Sequence, residues 1–341
     1  MKEAQIVISR PGPATLADVP GVLRDYLCSV YGENLRALFL YGSSLLRSGN
    51  RELGELSRED FEDKRCDFIA VMEDKEAALL RLSSHWPTWT PATGQEMIDL
   101  GRELGGRIVY FVPETVHTYR VEFADGNGGR EVHDGYHIPY KFGILGYGEL
   151  LRDLSEKRPH FYVAGRASKW SSRNLLYTRD EETRGAVEEG LARNRRDVAE
   201  IAHHLARVPG IDELVFRYFL FSYLCEAWRL DFHSKPRALV AGLGDDVRDL
   251  VRNALDSVPA PARPDRAMRK RILRTIVRGN LVSMRMSLGN SRSNRHAWSP
   301  NRMAGNASYV RRKLANILPD ILMLPLRIPV WGWRVVRWRW F

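Results

Sequence analysis

Read as a pattern of apolar and polar positions, the chain divides near residue 150 into two unlike parts. Before that point, short apolar runs bounded by polar segments predict strands, with helical periodicity between them. LADVPGVLRDYLCSVY at 16–31 reads as an amphipathic helix leading into an apolar strand at 35–41. The charged stretch 45–64 predicts a helix and an exposed loop, followed by a strand at 67–71 and a helix at 74–84. A further strand covers 107–112, and segments 118–123 and 136–145 flank the Asp-Gly-Asn-Gly-Gly turn at 125–129, a strong hairpin signal. After 150 the spacing becomes helical: Val187, Leu191, Val198, Ile201 and Leu205 share one face of a helix, with charges between them. Residues 212–231 are apolar on most sides, as in a buried helix, and 245–256 are amphipathic. Pro259, Pro261 and Pro264 then mark a linker. The pattern predicts an α+β chain divided at 1–160, 161–260 and 261–341.

At 341 residues there is enough chain for two full cores. The net charge of +10 conceals an asymmetry. Residues 261–341 hold 18 Lys and Arg against only Asp265 and Asp320, so the rest of the chain is net acidic. A basic final quarter points to a polyanionic partner, either nucleic acid or an anionic membrane. Cys28, Cys66 and Cys225 are scattered, without zinc or disulfide spacing, which favours a reducing compartment. The N-terminal MKEAQIVISRPGP lacks the features of a secretory or organelle-import signal.

Candidate chemistry centres on LFLYGSS at 38–44 and CDFIAV at 66–71. Gly42 allows a sharp turn at the end of the first strand, and Ser43, Ser44 and the N–H groups that follow can cradle phosphate oxygens. Asp67 opens the next strand, where a carboxylate can hold Mg²⁺ bridging those phosphates. This order of parts is that of polymerase-β-type nucleotidyltransferases. Such enzymes usually carry a second carboxylate two residues away, on the same face of the strand; here that position is Ile69 on one side and Arg65 on the other. Glu122 is the first candidate for a further metal ligand, with Glu73 and Asp74 behind it. An ordinary turn and a surface aspartate would leave the same residues in place. His203-His204 has no matching ligand cluster. Gly242 and Gly244 lack the third glycine of a dinucleotide fingerprint.

The C-terminus is unusual in another way. Residues 318–341 interleave Trp331, Trp333, Trp338 and Trp340 with Arg334 and Arg337, among branched aliphatics. Pro319, Pro325 and Pro329 preclude a spanning helix, whereas Trp with Arg suits the lipid headgroup layer. Packing on the body and RNA binding through stacking are the alternatives; the Leu/Ile/Pro-rich first half favours lipid.

Several separated motifs together resemble the mitochondrial translocator-assembly-and-maintenance family of phosphatidate cytidylyltransferases and its bacterial relatives, over roughly residues 35–315. YGSS at 41–44 is similar to that family's Tyr-Gly-Ser segment, and CDFIAVMED at 66–74 to its Leu-Asp-Phe strand, which likewise lacks an alternating second carboxylate. KFGIL at 141–145, LLRDL at 150–154 and FYVAGRASK at 161–169 follow in the family's order, as do the Arg-rich stretch near 271–292 and AGNASYVRRKL at 304–314. The hairpin near 114–138 is longer than the family pattern, and the Trp/Arg terminus lies outside it.

The resemblance implies a polymerase-β-type nucleotidyltransferase domain, a mostly helical, winged-helix-like second domain and a basic C-terminal tail. It implies CTP and phosphatidic acid as substrates, CDP-diacylglycerol and pyrophosphate as products, and Mg²⁺ as cofactor. Lys141 and Arg166 become phosphate-contacting cations. The expected location is peripheral, on the cytoplasmic side of a bacterial inner membrane or the matrix side of a mitochondrial one, with no nucleic-acid partner. Two other readings stay open: a nucleotidyltransferase acting on RNA or a small polar acceptor, and a non-catalytic membrane- or nucleic-acid-binding protein.

Overall fold

A computed structural model describes residues 14–15, 19–41, 66–85, 95, 98–99, 102, 109–111, 118–124, 127–137, 140–155, 162–170, 174–205, 210–225, 234–243, 245–261, 265–268 and 270–279. The expected 45–64 helix and loop, the 304–314 motif and the Trp/Arg terminus all lie outside these residues.

Two strands form the centre of the first half. β2 (Leu35–Tyr41) and β3 (Cys66–Met72) are antiparallel partners. Leu35, Ala37–Leu40 and Phe68–Met72 are buried on both faces, which is why each reads as a continuous apolar run rather than an alternating one. β7 (Tyr140–Gly146) pairs parallel to β3, β4 (Val109–Phe111) pairs antiparallel to β7, and β8 (Leu175–Thr178) pairs antiparallel to β2. The order is β4-β7-β3-β2-β8. On one side, α1 (Val19–Tyr31) and α2 (Lys75–His85) pack on the sheet, burying Leu23, Leu27, Val30, Ala78 and Leu79. On the other, Ala37, Phe39, Ile69, Val71 and Leu145 meet a layer of three helices, α3 (Tyr147–Asp153), α4 (Tyr162–Ala167) and α5 (Glu181–Leu205).

The hairpin differs from the expected one. β5 (Thr118–Ala124) pairs with β6 (Arg130–His137), whereas 136–145 was expected to supply the second strand. Residues 140–146 instead enter the larger sheet as β7. REVHDGYH is rich in charge and carries a glycine, so local propensity gives little sign of β6; pairing with β5 creates it. Gly128, at φ +84, supplies the left-handed residue that the turn needs. With β1 (Ala14–Thr15), these strands form a separate three-stranded sheet, β1-β5-β6.

Helices dominate the second half. α5 is 25 residues, about 37 Å long, and it serves two cores. Val187 and Leu191 face the sheet, while Val198, Ile201 and Leu205 join α6 (Ile211–Leu224), α7 (Ser234–Ala241) and α8 (Asp245–Asp256) in a helical core. α6 ends at Leu224 with Cys225 as its C-cap, and the rest of the expected 212–231 helix lies outside the described residues. β8 lies beyond residue 160 yet completes the sheet, and Met268, Ile272 and Ile276, beyond 260, pack into the helical core. Among the described residues after β8 there is no strand.

Candidate functional site

β2 and β4 end, and β3 and β7 begin, at one end of the larger sheet. Across that end the register runs Tyr41 opposite Asp67, and Asp67 opposite Lys141. Gly42 follows Tyr41 directly in the chain. Three motifs separated by up to a hundred residues in sequence therefore converge through strand pairing alone. Further along these strands Phe39, Ile69 and Leu145 pack against the layer of α3, α4 and α5. Ser43 and Ser44, with Gly42, lie outside the described residues, so only their departure point is fixed.

Arg166 lies on α4, where it is half-buried. A helix of six residues is too short to hold itself together; its neighbours fix it instead. Asn194 donates from its Nδ2 to the Ala164 carbonyl at 2.8 Å, and Tyr218 donates from its hydroxyl to the Ser168 carbonyl at 2.9 Å. Arg195 Nη1 donates to the Trp170 carbonyl at 3.1 Å, and Lys169 Nζ sits 4.2 Å above the Tyr223 ring. Burial pushes the Tyr218 phenol well above its ordinary value, so it stays a neutral donor. The same segment grips β2: Trp170 stacks on Phe39 with ring centroids 4.5 Å apart, and Asn174 Nδ2 donates to the Leu40 carbonyl at 2.7 Å. Asn174 and Trp170 went unnoticed in the sequence, where neither stands in a recognisable motif.

The other candidate carboxylates stand on other strands or past the other end of β3. Glu122 is in the other sheet, paired with Thr15 and Val132, and no strand pairing joins it to Asp67. Glu73 and Asp74 follow the far end of β3, about 20 Å along the strand from Asp67. Both have structural partners there. Glu73 meets Arg36 Nε at 2.6 Å, and Asp74 accepts from the Ala77 N–H at the start of α2. His203 Nε2 lies 3.1 Å from the Leu255 carbonyl, a contact between α5 and α8. The described residues contain no group of three His, Cys, Asp or Glu able to hold a metal by themselves.

An aspartate and a lysine at neighbouring register positions are residue types that could hold a hard divalent cation and a phosphate. Mg²⁺ is commonly held by one or two carboxylates together with substrate phosphates and water. Asp67 could supply that protein ligand, and Lys141 and Arg166 could supply positive charge for phosphate oxygens.

No family profile matches the chain, and no curated protein matches it. Among solved structures, a nucleotidyltransferase-like protein from Exiguobacterium sibiricum 255-15 aligns over 88% of this chain and 91% of its own, with 8% identity and a TM-score of 0.21. A superposition that loose adds nothing to the strand order and register above.

Proposed function

We propose that this protein is a Mg²⁺-dependent nucleotidyltransferase that joins CTP to phosphatidic acid, giving CDP-diacylglycerol and pyrophosphate at a membrane surface. The observation that carries the reading is the register of Asp67 between Tyr41, which precedes the Gly42-Ser43-Ser44 turn, and Lys141. The choice of CTP and a lipid acceptor rests on the family resemblance of the YGSS, CDF, KFG and AGRASK segments.

The phosphate monoester of the acceptor attacks the α-phosphorus of the nucleotide. A new O–P bond forms, the bond to the bridging oxygen breaks, and pyrophosphate leaves with that electron pair. The attacking oxygen is already anionic near neutral pH, so no strong general base is required. The barrier is mainly repulsion between two anions and their alignment. Asp67 would hold Mg²⁺, which when bound would supply charge neutralisation on the phosphates. Gly42, Ser43 and Ser44 bind the triphosphate, and Lys141 and Arg166 bind phosphate oxygens of either substrate.

Contact with an anionic surface has two sources. One is the terminus, with Trp331, Trp333, Arg334, Arg337, Trp338 and Trp340. The other is the helical stretch 266–279, which buries Met268, Ile272 and Ile276 in the protein core and exposes Arg266, Lys270, Arg271, Arg274 and Arg278. Its apolar face is already occupied, so its share in membrane contact is electrostatic. No helix among the described residues is long and apolar enough to cross a membrane.

The test offers α-labelled CTP and Mg²⁺ with phosphatidic acid vesicles, RNA or small polar phosphates as acceptors. Label in an organic-extractable product supports the lipid reading. Label on RNA or on a polar acceptor would replace it, and no transfer to any acceptor would remove the enzyme assignment. Co-sedimentation with anionic vesicles, with and without residues 317–341, tests the terminus separately; unchanged binding would remove its membrane role.

A further inference from the structure

We infer that Tyr218 and Asn194 are positioning residues for Arg166, acting from the helical half through the backbone of α4 without touching substrate. The inference rests on the proposed phosphate contact of Arg166. α4 is held on two faces. Val163 and Ala167, one turn apart, belong to the core formed with Phe39 and Ile69 of the sheet. Ala164, about 100° round the helix from Val163, belongs to the helical core with Val198 and Tyr218. Arg166 leaves α4 on a third flank, roughly 160° from Ala164. A helix of six residues has little stiffness of its own, so its setting between the two cores decides where that guanidinium emerges.

That setting is fixed through carbonyls on either side of Arg166. The Ala164 carbonyl accepts from the Ser168 N–H at 2.9 Å and from Asn194 Nδ2 at 2.8 Å. The Ser168 carbonyl accepts from the Tyr218 hydroxyl at 2.9 Å, while the Ser168 hydroxyl turns back to the Gly165 carbonyl at 2.9 Å. The Arg166 carbonyl itself accepts from the Lys169 N–H at 3.2 Å. Residue 166 therefore lies inside a short run of bonded backbone whose two ends are gripped by α5 and α6. Both donors are fully buried, and the Tyr218 ring meets Phe219 edge-on with centroids 5.5 Å apart. Neither can swing aside to follow a displaced helix. Packing alone would be served by phenylalanine at 218, because a buried hydroxyl is costly unless it makes its bond. A shift of about 1 Å in a group that must meet phosphate oxygens is enough to lower the rate substantially.

The test is a double-mutant cycle on the full chain, since Tyr218→Phe keeps the ring and removes only the hydroxyl. kcat/KM for CTP and for phosphatidic acid is measured in wild type, Tyr218→Phe, Arg166→Ala and the double variant. Tyr218→Phe is expected to lower, by about tenfold, the same parameter that Arg166→Ala lowers, the worth of one buried hydrogen bond. Once Arg166 is gone, the same substitution should change that parameter by less than about twofold. A role confined to stability would reduce the active fraction alike in both backgrounds. Equal losses with and without Arg166, or no loss with Arg166 present, would overturn the inference. Should the phenylalanine variant not fold, Asn194→Ser removes the other buried donor and is carried through the same cycle, with the same outcomes deciding. A fully active Arg166→Ala would remove Arg166 from the site and the positioning role with it, leaving the enzyme reading intact. A wild type that transfers no nucleotide to any acceptor would refute both.

Discussion

Asp67 and Lys141 are register partners across two adjacent parallel strands, near the start of both. Parallel neighbours hold equivalent positions on one face of a sheet. Tyr41, the residue before Gly42-Ser43-Ser44 in the chain, is the partner of Asp67 on the other side. On the proposed mechanism, the cation serves phosphate rather than the aspartate. Lys141→Met should leave the circular dichroism spectrum and melting temperature unchanged and lower kcat/KM by about a hundredfold, as loss of one electrostatic group commonly does. Activity within a factor of about two of wild type would remove Lys141 from the site.

The opposite end of the sheet is held by ions and makes a prediction about acid stability. Asp180 precedes α5 and accepts from the Thr183 N–H at 2.7 Å, as an N-cap does. Hydrogen bonds from Thr183 first, then Arg179 and the nearby Arg36, hold its carboxyl down at about 2. Its folded-state value lies below its unfolded value, so its contribution is fully present above about pH 4 and is lost as pH falls toward 2. Asp180→Asn should be less stable than wild type in urea melts at pH 7, and the gap should close between pH 4 and 2. A constant gap across that range would assign the difference to packing.

The junction of α6 with the 266–279 helix depends on a residue without a side chain. A Cβ placed on Gly279 would lie 2.9 Å from the Cys225 carbonyl oxygen and 3.0 Å from its Cβ. Gly279→Ala is expected to cost about 1–3 kcal/mol through forced separation of the helices, measured by chemical denaturation. An unchanged midpoint would mean the two segments part freely.

The exposed cations of that helix carry a prediction of their own. Replacing Arg271, Arg274 and Arg278 by Glu should weaken binding to vesicles containing phosphatidic acid by at least tenfold at low salt. Each basic residue near an anionic surface is worth about 1 kcal/mol, and rising ionic strength should narrow the difference. The buried Met268, Ile272 and Ile276 are untouched, so the variant keeps its fold. Equal vesicle binding by variant and wild type would leave the terminus as the sole membrane contact.

What the sequence disclosed follows from how local each signal is. β2, expected at 35–41, spans Leu35–Tyr41, and β3 exceeds its expected 67–71 by one residue at each end, because both are central strands written as unbroken apolar runs. α8 matches the expected 245–256 because its apolar stripe is regular. β6 and α4 were not legible. The first is a polar edge sequence that is a strand only by virtue of its partner. The second is a six-residue helix held by Asn194 on α5, with the turn beyond it tied to Tyr218 on α6. Of the candidate site, the motifs stood out singly, but their meeting at one sheet end depends on a strand order that no local pattern encodes. Asn174 was hidden for the same reason, since its partner lies 134 residues away.

The most direct measurement is Mg²⁺-dependent formation of CDP-diacylglycerol from CTP and phosphatidic acid by wild type and by Asp67→Ala, with folding of both verified. The account predicts product from wild type and a loss of a thousandfold or so in the variant, in line with removing a group that acts on transition-state charge. Equal product from the two proteins, or none from wild type, would contradict it.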